Sequence, residues 1–121
     1  MFNFEKLDVW QKGIAFADLI YTETRVFPVE ERFGLTNQLR RTAVSVPSNI
    51  AEGSSRYSKN DFARFTEIAA GSLLEVVSQS FVARRQNFLT TEAFAKIYAA
   101  AEEESRMLSG LRRSLLLPEQ A

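Results

Sequence analysis

Thirty residues, Lys59 to Phe88, run without a proline and set apolar side chains three or four positions apart. That spacing predicts one long amphipathic helix, about 45 Å from end to end at a rise of about 1.5 Å per residue. Ser58 marks its start, a hydroxyl placed before an acidic residue, Asp61, at the third helical position. The inward stripe reads Phe62, Phe65, Ala69, Leu73, Val76, Ser80 and Phe88, widened by Ile68, Val77 and Phe81.

Three further segments carry the same period. Asp8 and Gln11 have the spacing of a capping box, and Trp10, Ile14, Ala17, Tyr21, Thr24 and Phe27 follow as one face until Pro28. Glu30 to Gly34 reads as a turn or a short helical piece. Leu35, Leu39, Ala43, Val46 and Ile50 form the next stripe. Pro47 lies inside it and has no N–H to offer the Ala43 carbonyl, so a kink is expected there rather than a stop. Thr90 and Glu92 open the last helix, whose stripe is Phe94, Ile97, Tyr98, Ala101, Leu108, Leu111 and Leu115, ending at Pro118. No segment alternates with period two, and the links are short enough to set successive helices antiparallel. The expected fold is all-α: one domain over residues 1–121, an antiparallel up-down four-helix bundle.

Composition limits the chemistry. Fifteen Lys and Arg balance 15 Asp and Glu, and the 121 residues include no Cys and no His. Disulfides, Cys/His zinc sites, thiol nucleophiles and imidazole bases are thereby excluded. A carboxylate-bridged di-iron bundle needs Glu-x-x-His pairs, so Glu52, Glu67, Glu75 and Glu102 to Glu104 offer at most an oxygen-only site. Charges on a helix face are ordinarily solvated, and Glu102 to Glu104 are read that way. Neither a glycine-rich phosphate loop nor a nucleophile-elbow motif is present. The reading assigns no catalytic residue, metal or cofactor, and expects a protein that is not an enzyme. Met1 to Trp10 alternates apolar and charged residues, unlike a signal peptide, and no apolar run approaches the roughly 18 residues of a membrane span. A cytoplasmic protein without a membrane partner is expected.

Charge is unevenly placed along this neutral chain. Residues 35–66 hold Arg40, Arg41, Arg56, Lys59 and Arg64 against Glu52 and Asp61, a balance of +3. Two readings of Arg40, Arg41, Arg56 and Lys59 stay open: sequence-independent contacts to phosphates, or ordinary packing and pairing. In the run Ala69-Ala70-Gly71-Ser72, a helical glycine implies a packing reason, such as close approach of a neighbouring helix or room for a ring.

Several motifs together carry a resemblance. They are Phe4-x-x-Leu7-x-Val9-Trp10-Gln11-Lys12, Phe27-Pro28, Phe33-Gly34-Leu35, Gln38-Leu39-Arg40-Arg41, Ser45-Val46-Pro47-Ser48-Asn49-Ile50-Ala51-Glu52-Gly53, Phe62-x-x-Phe65, and Gly71-Ser72 through Glu75. The chain resembles the four-helix bundle proteins named after a product encoded within 23S ribosomal RNA intervening sequences, sometimes labelled ribosomal proteins. The resemblance implies a homopentameric ring. It also implies kinship with the accessory protein of diversity-generating retroelements, which binds nucleic acid (RNA or DNA) and partners a reverse transcriptase. It carries Arg40, Arg41 and Arg56 as basic contacts and no catalytic residue.

Physical readings stand beside it. Asn49, just after Pro47, has an amide able to serve a stranded backbone group, and Gly53 permits the positive φ of a helix end. Arg41 and Glu75 are expected to pair between adjoining helices. Phe33, Phe81 and Leu116 stand off their stripes as candidates for association. Two functions follow: a non-catalytic oligomeric adaptor that binds nucleic acid through Arg40, Arg41, Arg56 and Lys59, or a protein-interaction scaffold with no nucleic-acid role.

Overall fold

The computed structural model describes residues 1–118. Four helices follow one another: α1 (Asp8–Thr24), α2 (Leu35–Ser54), α3 (Lys59–Arg85) and α4 (Thr91–Leu116), with 3-10 turns at Asn3–Lys6 and Val29–Glu31. No strand occurs among the described residues. Each helix packs against two others, α1 and α3 both lying against α2 and α4. Short links make neighbours antiparallel, so the chain closes an up-down bundle with α1 and α3 across the diagonal. Ile20, Leu39, Val46, Ile50, Leu73, Val76, Ile97 and Leu108 fill the centre and are almost wholly withdrawn from solvent.

The caps of the two longest helices form as expected. Ser58 Oγ accepts the Asp61 N–H at 3.0 Å, and Thr90 Oγ1 accepts the Ala93 N–H at 3.0 Å. Helix α3 ends at Arg85, short of Phe88. Asn87 turns left-handed with φ 64°, and the Phe88 N–H returns to the Ala83 carbonyl at 2.9 Å, a Schellman-type ending. The turn aims Phe88 back at Phe27, their ring centroids 5.5 Å apart. Helix α2 runs through the buried Pro47 without a break.

Elsewhere the structure corrects the sequence reading. Asp8 is the first helical residue rather than a cap, Leu7 precedes it, and the Gln11 amide donates to the Glu5 carbonyl at 2.8 Å. The inward face of α1 is Val9, Gly13, Phe16, Ala17, Ile20 and Thr24, while Ile14 and Tyr21 are exposed. Apolar residues occur on several sides of this helix, so two stripes satisfy the same spacing, and Phe16 and Ile20, a pair without the Tyr21 hydroxyl, take the core. Ile68 of α3 also lies outside, and Phe81, read both as widening the stripe and as a candidate for association, is exposed. Gly71 has no packing partner, since a Cβ built on it meets nothing within 4 Å. Gly53 is helical and takes no positive φ. What requires glycine there is close approach of α3: an added Cβ would lie 2.6 Å from Phe65 Cβ and 2.9 Å from Phe62 Cδ1. The Asn49 amide does serve a backbone carbonyl near Pro47, but that of Ser45, at 2.8 Å, rather than that of Ala43.

Candidate interaction surface

The four basic residues singled out from the sequence do not form one patch. Arg40 reaches across to the end of α1. Its Nε donates to Thr24 Oγ1 at 2.9 Å, Nη2 lies 3.5 Å from the Tyr21 carbonyl, and its guanidinium sits 4.8 Å from the Tyr21 ring centroid. A cation there meets the carbonyl-rich end of a helix, which is a structural reason for an arginine. Arg56 is sixteen residues on, roughly 24 Å away at helical rise. It bonds Glu52 at 2.9 Å, lies 3.7 Å from Asp61 and stacks 4.5 Å from the Phe65 ring centroid. Arg64, bonded to Asp61 at 3.0 Å, approaches the same ring at 4.7 Å. Lys59 is exposed at the first position of α3. Arg41 is exposed mid-bundle with no hydrogen bond or ion pair among the described residues. Its expected pairing with Glu75 does not occur: Glu75 Oε2 instead accepts the Thr42 hydroxyl at 3.0 Å, a shorter side chain one position along α2.

Apolar exposure is more concentrated. Phe33, Phe81 and Leu116 are exposed as the sequence suggested. Phe81 has company that the sequence reading did not find. Its ring lies 4.8 Å from that of Phe94 and 6.3 Å from that of Tyr98, with Phe94 and Tyr98 6.0 Å apart, all on the outer groove between α3 and α4. Leu74 stands one helical turn before Val77 and Ser78 and is 65% exposed; Phe81 is 49% and Tyr98 41% exposed. A cavity of about 270 Å³ runs beside them, lined by Leu73, Leu74, Val77, Tyr98, Ala101 and Ser105 together with Glu102 and Arg106 at its edge. Four-residue spacing from Phe94 puts Tyr98 on the expected α4 core stripe; in the bundle both rings turn toward α3.

One charged group lies inside. Glu104 is 1% exposed, on the same side of α4 as Ile97, Ala101 and Leu108. Of Glu102 to Glu104, read from the sequence as mostly solvated, Glu104 is the one that is not. The gap of seven from Ala101 to Leu108 requires an inward residue midway, and position 104 supplies it. Both carboxyl oxygens lack a hydrogen-bond partner. Burial, reinforced by Glu103 and opposed by Lys12, pushes its pKa from 4.5 up to about 7. Among the described residues no three potential ligands gather as a metal cage.

Residues 5–110 match the sequence profile of a family described as 23S rRNA-intervening sequence protein. The chain belongs to that family. The bundle is also similar to the crystal structure of a protein with unknown function from the S23 ribosomal protein family of Bacteroides thetaiotaomicron VPI-5482. The two superpose with a TM-score of 0.79 at 22% identity, covering 87% of this chain and 95% of the other, a likeness of fold. No curated protein matches the chain. Within a 23S rRNA-intervening sequence protein, then, Arg40 and Arg56 are tied to neighbouring groups, Arg41 faces solvent, and the groove of α3 and α4 exposes an aromatic cluster. No helix of the described residues is long and apolar enough to cross a membrane.

Proposed function

We propose that this 23S rRNA-intervening sequence protein is a non-catalytic association module whose α3–α4 groove packs against further copies of itself. The observation that supports the reading is the contiguous exposure of Leu74, Phe81 and Tyr98 beside Phe94. Water is a poor neighbour for such a cluster, and patches of this kind mark association surfaces. The pentameric ring implied by the resemblance is the assembly expected. Light scattering over a wide concentration range tests it: the account expects a mass several times 13.7 kDa, and a monomer at every concentration removes it.

A second reading rests on Arg41, exposed and without a partner among the described residues. In a ring, each copy of Arg41 would add a phosphate contact that one chain alone holds too weakly. Binding to RNA or DNA would then fall steeply with salt, and Arg41→Ala would lower both affinity and salt slope. An assembled wild type that binds neither RNA nor DNA at low salt leaves the scaffold reading alone, with a protein such as a reverse transcriptase as the partner class suggested by the resemblance.

A further inference from the structure

Three features meet where α1, α2 and α4 converge. Glu104 presents two buried oxygens without a hydrogen-bond partner. Gly13 is the residue beneath it: a Cβ on Gly13 would lie 2.9 Å from Glu104 Oε2 and 3.4 Å from Pro47 Cβ. Pro47 brings its ring, and no N–H, to the same space. A carboxylate brings only acceptors to such a place, whereas a neutral carboxyl brings an O–H. Burying an unpaired charge is far more costly than burying a neutral acid.

The charged groups near it are few. Lys12 of α1 and Glu103 of α4 bond each other at 3.0 Å at the solvent edge of a cavity of about 240 Å³ that Glu104 also lines. Every buried residue of α2 and of α3 is uncharged. No cation is therefore held inside the bundle to offset an ionised Glu104.

We infer that Glu104 is a proton-operated clamp: neutral, it seats on Gly13 and Pro47 and holds the α1–α4 seam shut; ionised, it loosens that seam. Between pH 4.5, where the unfolded chain releases this proton, and about 7, where the folded chain does, the folded state holds one proton more. Stability is thus fully present below that window, falls as pH rises through it, and is level above it. The clamp is independent of the groove on the other side of α4.

The test compares the wild type with Glu104→Gln, an amide that donates like the neutral acid and does not ionise. At fixed protein concentration, the unfolding constant of the wild type relative to the variant should rise about tenfold per pH unit within the window. Amide exchange at Phe16 of α1 and Ala100 of α4, which line the cavity beside Glu104, should quicken over the same range, again relative to the variant. In the intact wild type, the ¹³C signal of the Glu104 carboxyl should titrate near 7. Parallel stability profiles for the two proteins, or a carboxyl signal titrating near 4.5, overturn the clamp. The carboxyl titration needs no variant, so it decides even if Glu104→Gln does not fold.

Discussion

Gly13 and Glu104 share one small space: the carboxyl oxygen Oε2 lies 2.9 Å from the point where a side chain on residue 13 would begin. A side chain on residue 13 of α1 would therefore have to displace the carboxyl end of a residue 91 positions away. In an otherwise open helix, replacing glycine by alanine gains about 1 kcal/mol. Here the added methyl meets a buried carboxyl and a proline ring. The carboxyl is the far end of a side chain that borders a cavity and can turn aside, so the cost offsets the gain of about 1 kcal/mol rather than exceeding it.

Gly13→Ala should accordingly leave stability in urea unfolding within about 0.5 kcal/mol of the wild type. In a Glu104→Ala background the same substitution should become stabilising, because the blocking oxygen is gone. A double-mutant cycle measures the difference between the two backgrounds. Additive effects would separate the two residues.

The other glycines of the helices divide in the same way. Gly53→Ala would drive a methyl to within 2.6 Å of Phe65 Cβ, an atom fixed to the α3 backbone, so a loss of about 1–3 kcal/mol is expected. Gly71→Ala meets nothing within 4 Å and should gain about 1 kcal/mol, raising Tm by about 4 °C. Thermal unfolding of the two variants should move in opposite directions.

The four helices and their order were legible because spacing of three and four, Ser58, Thr90 and the prolines are local signals. Facing is not local. Helix α1 offers Ile14 and Tyr21 on one side and Phe16 and Ile20 on another, and only the shapes of α2 and α4 choose between them. Glu104 was missed because a charge is assigned outward by default, although the gap from Ala101 to Leu108 demanded something inside. The Phe81, Phe94 and Tyr98 cluster joins residues of two helices, and no periodicity within either one reveals it.

Arg40 shows how a basic residue in a recognisable motif can be structural. Arg40→Ala should cost about 1–2 kcal/mol in chemical unfolding through the lost Thr24 bond and Tyr21 stacking. Arg40→Lys should restore only part of it, because an ammonium cannot reproduce the planar stack and directed N–H. Arg41→Ala, exposed and unpartnered among the described residues, should leave stability within about 0.5 kcal/mol. Any effect of nucleic-acid binding is therefore read cleanly at Arg41 and not at Arg40.

Self-association requires other copies of the chain to cover the α3–α4 groove. Sedimentation equilibrium of the wild type beside the double variant Leu74→Lys, Phe81→Lys measures this directly, with helix content by circular dichroism as the check on folding. The wild type should sediment as a multiple of 13.7 kDa and the folded double variant as a single chain of about that mass. A folded double variant that keeps the wild-type mass, or a wild type that is itself a single chain, contradicts it.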